Sequence, residues 1–136
     1  MIEVYSKNIE VQSEAQIPLN TISLNKGTST TLQGVSSIQL NKCGIYQVIV
    51  SAVAIGSAAG EISVQMYKNG IPQPQAITQV TAADATSLNP MSFATLVQVP
   101  ENNLPNCPCS VPTVISFMNT GIEATFSTFN VNVTRI

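Results

Sequence analysis

"NKCGIYQVIVSAVAIG", residues 41–56, decides the fold. Its apolar residues recur with period two on both faces: Tyr46, Val48, Val50, Ala52 and Ala54 on one, Ile45, Ile49, Val53 and Ile55 on the other. Side chains alternate across a β-strand, so this is one long strand bracketed by Gly44 and Gly56, with a first face fit to line a core. The second face is interrupted only by Gln47 and Ser51, and it too needs cover.

The rest of the chain has the same character. Runs rich in Val, Ile, Thr, Ser and Phe alternate with Gly, Pro and Asn clusters, the pattern of a sandwich or barrel of short strands. The pattern predicts strands near 2–12, 21–25, 35–41, 44–56, 61–68, 73–81, 91–99, 112–119 and 124–135. Asn69-Gly70 in "YKNGIP" predicts a tight hairpin, because both residues tolerate positive φ. "VPENNLPNCPCSVP", 99–112, is the one long loop.

Two further strands carry apolar residues where a lone sandwich would meet water. In "MSFATLVQV", 91–99, Met91, Phe93, Val97 and Val99 share a face while Ala94 and Leu96 interrupt the other. In "ATFSTFNVNVTRI", Phe126 and Phe129 stand an odd number of positions apart, so either a bulge lies between them or both faces are covered. Contiguous exposed apolar surface marks association sites. The expected cover is another copy of the chain, the alternative being a third layer within it.

Composition supports association. The chain has 136 residues, 44% of them hydrophobic and only 9% charged, with a net charge of −2; ordinary soluble proteins carry roughly 25% charged residues. Little charge is available to keep a large surface soluble and monomeric. No basic run exists to neutralise phosphates, which excludes nucleic-acid binding by counterion release. No apolar stretch has the length of a signal peptide or membrane span, so a soluble cytosolic product is expected.

Residues that carry chemistry are scarce. Histidine and tryptophan are absent, and the seven carboxylates are scattered along the sequence; the usual general base and an acidic pair of glycosidase type are therefore missing. Cys43, Cys107 and Cys109 cannot complete a four-ligand zinc site, and a cytosolic product is expected to keep them reduced. Asp84, Glu101 and Asn102 are the only loop candidates for calcium, too few carboxylates for a strong site. Neither an enzyme nor a cofactor-binding protein is expected.

The stretch "IPLNTISLNKGTSTTLQGVSSIQLNKCGIYQVIVSAV", 17–53, resembles the first half of the jelly-roll domains of the tumour necrosis factor and complement globular-head superfamily. The likeness is to its bacterial and phage branch, which includes the C-terminal domains of collagen-like spore-surface (exosporium) glycoproteins. The features that carry it are the "IPLN" opening, the Gly44-x-Tyr46-x-Val48 strand, the Tyr67-Lys68-Asn69-Gly70 hairpin and the closing "ATFSTFNVNVTRI". Spanning 17–136, the resemblance implies an all-β, ten-stranded TNF-like jelly-roll sandwich, homotrimeric, with residues 1–16 as an N-terminal attachment arm. No collagen-like stalk or secretion signal accompanies it, which argues against a hormone-like role.

The "MIEVYSKNI" opening together with "IQLNKCG" resembles chains of phages and prophages of Gram-positive gut bacteria. That implies a capsid decoration or head-fibre protein on the virion surface, assembled in the bacterial host cytoplasm with capsid or other virion proteins as partners. The alternatives are a receptor- or glycan-binding module of a tail tip, with a host surface glycan as ligand, and a spore-surface structural protein. The expected trimer-interface or core residues are Tyr46, Val48, Ile49, Val53, Phe93, Phe126 and Phe129. The expected partner-binding loop residues are Asp84, Asn89, Glu101, Asn102 and Asn103.

Overall fold

The computed structural model describes residues 1–100 and 113–136. The strands among them are β1 (Ile2–Val11), β2 (Ala15–Gln16), β3 (Thr21–Asn25), β4 (Thr30–Gln33), β5 (Ser37–Leu40), β6 (Gly44–Gly56), β7 (Gly60–Lys68), β8 (Ile71–Ala82), β9 (Asn89–Val99), β10 (Thr113–Asn119) and β11 (Ala124–Arg135). They form two antiparallel sheets. One runs β3-β1-β11-β6-β9, the other β4-β5-β10-β7-β8 with the two-residue β2 alongside β10. Setting β2 aside leaves ten strands of four residues or more, as expected of a jelly roll.

The first face of β6 lines the core. Tyr46, Val48, Val50 and Ala54 are fully buried, opposite Ile38, Leu40, Ile62, Val64, Ile115 and Phe117 of the second sheet. The buried Tyr46 ring keeps its hydroxyl satisfied by donating to the Lys42 carbonyl at 2.7 Å and accepting from the Lys42 amide at 3.2 Å, which pins the turn into β6. Gly44 opens the strand at φ 136, where a Cβ would come within 2.9 Å of Arg135 Nε. The Arg135 guanidinium uses that space to donate to the Cys43 carbonyl from Nε at 3.0 Å and Nη2 at 2.7 Å, closing the end of β11 onto β6.

The four phenylalanines form one chain through the sandwich. Phe126 and Phe129 meet edge to face at 5.6 Å, Phe129 meets Phe117 of the opposite sheet at 5.8 Å, and Phe117 lies 6.5 Å from Phe93. Such contacts add to the area that the rings remove from water.

A bulge explains the odd spacing of Phe126 and Phe129. The pairing of β11 with β6 slips between Phe126 and Thr128, so Ser127 is the extra residue and both rings point inward. Its hydroxyl donates to the Val53 carbonyl at 3.1 Å. On the other flank β1 changes face at the same level: Lys7 pairs Thr128 and Ile9 pairs Phe126, with Asn8 between them at φ 52. Asn tolerates this left-handed conformation better than most residues, so β1 follows the bulge without losing Val4, Ile9 or Val11 from the core side.

Three expectations change. β2 and β4 did not register as strands, since "AQ" and "TTLQ" are too short and polar to show a period. Residues 1–16 do not form a free arm: β1 lies between β3 and β11, and Ile2, Val4 and Val11 are buried. The alternation at Ile2, Val4 and Ser6 marks a core strand. Cys43 is disulfide-bonded rather than reduced; that expectation rested on the compartment, which says nothing of what lies beside a thiol. Cys107 and Cys109 lie outside the described residues.

Truncating the aromatic chain tests this core. Phe129→Ala is expected to cost about 3–5 kcal/mol of unfolding free energy, read from denaturant curves at one fixed protein concentration. A loss below about 1 kcal/mol would mean that the ring is not packed between the sheets.

Candidate assembly face

The two-layer sandwich buries one face of the β3-β1-β11-β6-β9 sheet and leaves the other open. Cross-strand pairing fixes its rows. Leu24, Glu3, Asn132, Ile49 and Ala94 form one, Thr21, Tyr5, Asn130, Ser51 and Ser92 the next, and Lys7, Thr128, Val53 and Pro90 the one beyond. In the other direction Thr134, Gln47 and Leu96 follow, then Ile45 and Gln98.

This is the second face of β6. Ile45 is 45% exposed, Ile49 42% and Leu96 59%, while Val53 and Ile55 are half-buried. Neither β6 nor β9 carries a charged residue, and β11 has only Arg135, which is held against Cys43. Charge on the face belongs to β1, as Glu3, Lys7 and Glu10. Down the middle, Asn132 Nδ2 donates to Asn130 Oδ1 at 3.0 Å. A groove of about 510 Å³ lies beside this ladder, lined by Ser51, Ala52, Val53, Thr78, Pro90, Met91, Ser92 and Thr128.

The seven expected core or interface residues separate cleanly. Tyr46, Val48, Phe126 and Phe129 are fully buried within one chain, and Phe93 is half-buried on the same inner side. Ile49 and Val53 lie on the open face. Sequence reasoning missed Leu24 and Tyr5, which reach this face only because β1 and β3 extend the sheet. The period-two alternation of residues 2–6 was the available signal.

The two loop candidates among the described residues, Asp84 and Asn89, each bond within their own loop. Asp84 Oδ1 accepts from the Thr86 amide at 2.8 Å, the Thr86 hydroxyl at 2.9 Å and the Ser87 amide at 2.8 Å. The Thr86 bonds, then those from Ser87, lower its pKa below the ordinary 3.8. Asn89 is buried and donates to the Ser87 carbonyl at 3.0 Å and the Ala54 carbonyl at 3.3 Å. Both side chains therefore hold their own loop. Glu101, Asn102 and Asn103 lie outside the described residues. Among those described, no group of three or more His, Cys, Asp or Glu side chains is placed to hold a metal ion.

At the sheet's rim Glu10 and Glu123 share a hydrogen bond. That bond, with the repulsion between the two carboxylates, raises the Glu10 pKa above its ordinary 4.5, while Gln12 Nε2 donates to Glu123 Oε1 at 3.0 Å. The two shifts act in opposite directions. The Asp84 contribution is present above its ordinary value and is lost as pH falls through the lowered one. The Glu10 contribution is present in acid and is lost as pH rises through the raised value. Glu10→Gln is thus expected to raise the melting temperature at pH 7, the gain over the parent shrinking to nothing as pH is lowered through the carboxylate range. A gain independent of pH would show that the pair's repulsion is not the cause.

No protein-family model matches the sequence, and comparison with curated proteins finds no match. Solved structures do match in shape. Eiger TNF from S. frugiperda superposes with a TM-score of 0.66 at 10% identity, covering 99% of this chain and 92% of that one. Vertex protein P5 of PRD1 gives 0.60 at 15%, covering 99% and 95%, and the globular domain of zebrafish complement 1qA gives 0.59 at 8%, covering 96% and 92%. With two antiparallel sheets in the same arrangement over nearly the whole length, this chain has the TNF-like jelly-roll fold.

Proposed function

We propose that this chain is a non-enzymatic structural protein of a bacteriophage particle, a homotrimer that decorates the capsid or projects from it as a head fibre. The observation that carries the reading is the open face of the five-stranded sheet, apolar and uncharged at β6 and β9. Four strands of about ten residues and the five-residue β3, spaced by ~4.8 Å, offer roughly 700 Å², of the order that one partner contributes to a standard interface. The TNF and C1q neighbours in shape are trimeric, and PRD1 P5 is by its name a vertex protein. These likenesses support a trimer and a virion role without fixing either.

In this reading the mechanism is association. Three copies bring their open faces together, and each Å² of apolar surface so buried contributes roughly 25 cal/mol before the entropic cost of association is subtracted. Loops at the two ends of the sandwich remain free to meet the capsid.

Light scattering on the purified protein is expected to give about three times 14.4 kDa, and the protein is expected in purified virions rather than in spores. Ile49→Asp places a carboxylate in the proposed contact without touching the core, and an uncompensated buried charge costs roughly 3–5 kcal/mol. The variant should fall to monomers while keeping its strand signal by circular dichroism. A parent protein that remains monomeric at high concentration would end the reading.

A further inference from the structure

The open face carries two apolar patches, not one. The first is Ile45, Ile49, Ala94 and Leu96 on β6 and β9. The second lies at the opposite edge of the sheet, where Leu24 is 45% exposed and Met1 beside it 44%; Ile22 pairs with the core-facing Val4 and belongs to the other side of the sheet. Between them stand Glu3, Asn130 and Asn132, with the half-buried Tyr5. Two separated patches suit a heterologous contact. A twofold contact pairs a patch with itself, whereas a closed ring pairs two different patches of each copy.

Register adds a second observation. Leu24 and Ala94 are the two ends of a single cross-strand row, so they lie at one height along the strands. Rotation about an axis running along the strands brings equal heights of neighbouring copies together. The small Ala94 side chain, between Ser92 and Leu96 on its face, leaves room for a leucine. In the adjacent row the same rule sets Thr21 and Tyr5 of one copy against Ser92 of the next, at the mouth of the groove lined by Ser51, Val53, Pro90 and Ser92. Neither contacting edge strand bears a charge.

We propose that the ring closes heterologously, the β3 edge around Leu24 of one copy packing on Ala94, Leu96 and Ile49 of the next. This rests on the trimer reading above and names the surfaces that meet in it. The contact covers both patches of every copy and leaves no apolar edge over.

Disulfide trapping tests the pairing. A Leu24→Cys and Ala94→Cys double variant, oxidised and run under denaturing conditions, is expected to yield covalent dimers and trimers that reducing agent dissolves. Each single variant, which controls for the native cysteines, should yield none. A second pair of changes tests the same contact through charge: Leu24→Lys and Leu96→Glu should each weaken the trimer at least tenfold, and their combination in one chain should recover most of the loss. If the parent is trimeric but the double-cysteine variant does not cross-link and the charge pair does not rescue, the heterologous pairing is wrong while the trimer stands. Cross-linking by Ala94→Cys alone would equally overturn it, since that residue would then face its own copy. A monomeric parent protein would instead remove the trimer reading itself.

Discussion

A two-layer sandwich buries one face of each sheet, and the described residues offer no third layer. Everything distinctive here follows from a sheet whose strands are written as though both faces were to be buried. β6 shows it most plainly: thirteen residues without a charge, one face sealed against the second sheet and the other holding Ile45, Ile49, Val53 and Ile55 on the outside. An antiparallel sheet that merely faced water would be expected to alternate apolar with polar. The side chains on the open faces of β6 and β9 do not follow that rule, whereas those of β11 largely do.

The fold was legible because its signals are local. Period-two alternation located β6, β9, β10 and β11 within a few residues, and Asn69-Gly70 marked its hairpin, where both residues take positive φ. What could not be read was pairing. Whether Phe126 and Phe129 shared a face depended on a slip relative to β6, and the matching left-handed Asn8 in β1 answers a strand more than a hundred positions away. The first sixteen residues were set apart as an attachment arm because the family resemblance begins at residue 17. In the sheet the β1 charges sit on the outer side while Ile2, Val4 and Ser6 face inward, and Ser6 ties the following segment by donating to the Pro18 carbonyl at 2.6 Å.

The candidate site was half legible for a related reason. Alternation says which residues share a strand face but not which face meets the other sheet, so Tyr46 and Ile49 entered one list and left on opposite sides. Of the loop residues, the two that are described have ordinary structural chemistry. Asp84 and Asn89 are polar side chains in a loop, yet each is engaged with its own backbone neighbours, the Asx-type bonding that makes these residues favourable at turns. Polarity in a loop is a weaker sign of function than an apolar face with nothing over it.

In the proposed trimer the polar ladder down β11 would give the open face its discrimination. Apolar edges alone would let two copies slide past each other, because burial of apolar area is not directional. Asn130 and Asn132 bond to one another, and among the described residues nothing else in the chain takes up their remaining amide groups. A buried amide left unpaired costs about 1–3 kcal/mol. Arrangements of copies that strand those groups are therefore penalised relative to one that pairs or hydrates them, much as a single buried polar residue selects register in a coiled coil. In the proposed trimer the face would thus divide its labour between residues that drive association, at Leu24, Ile49 and Leu96, and residues that decide which association is stable.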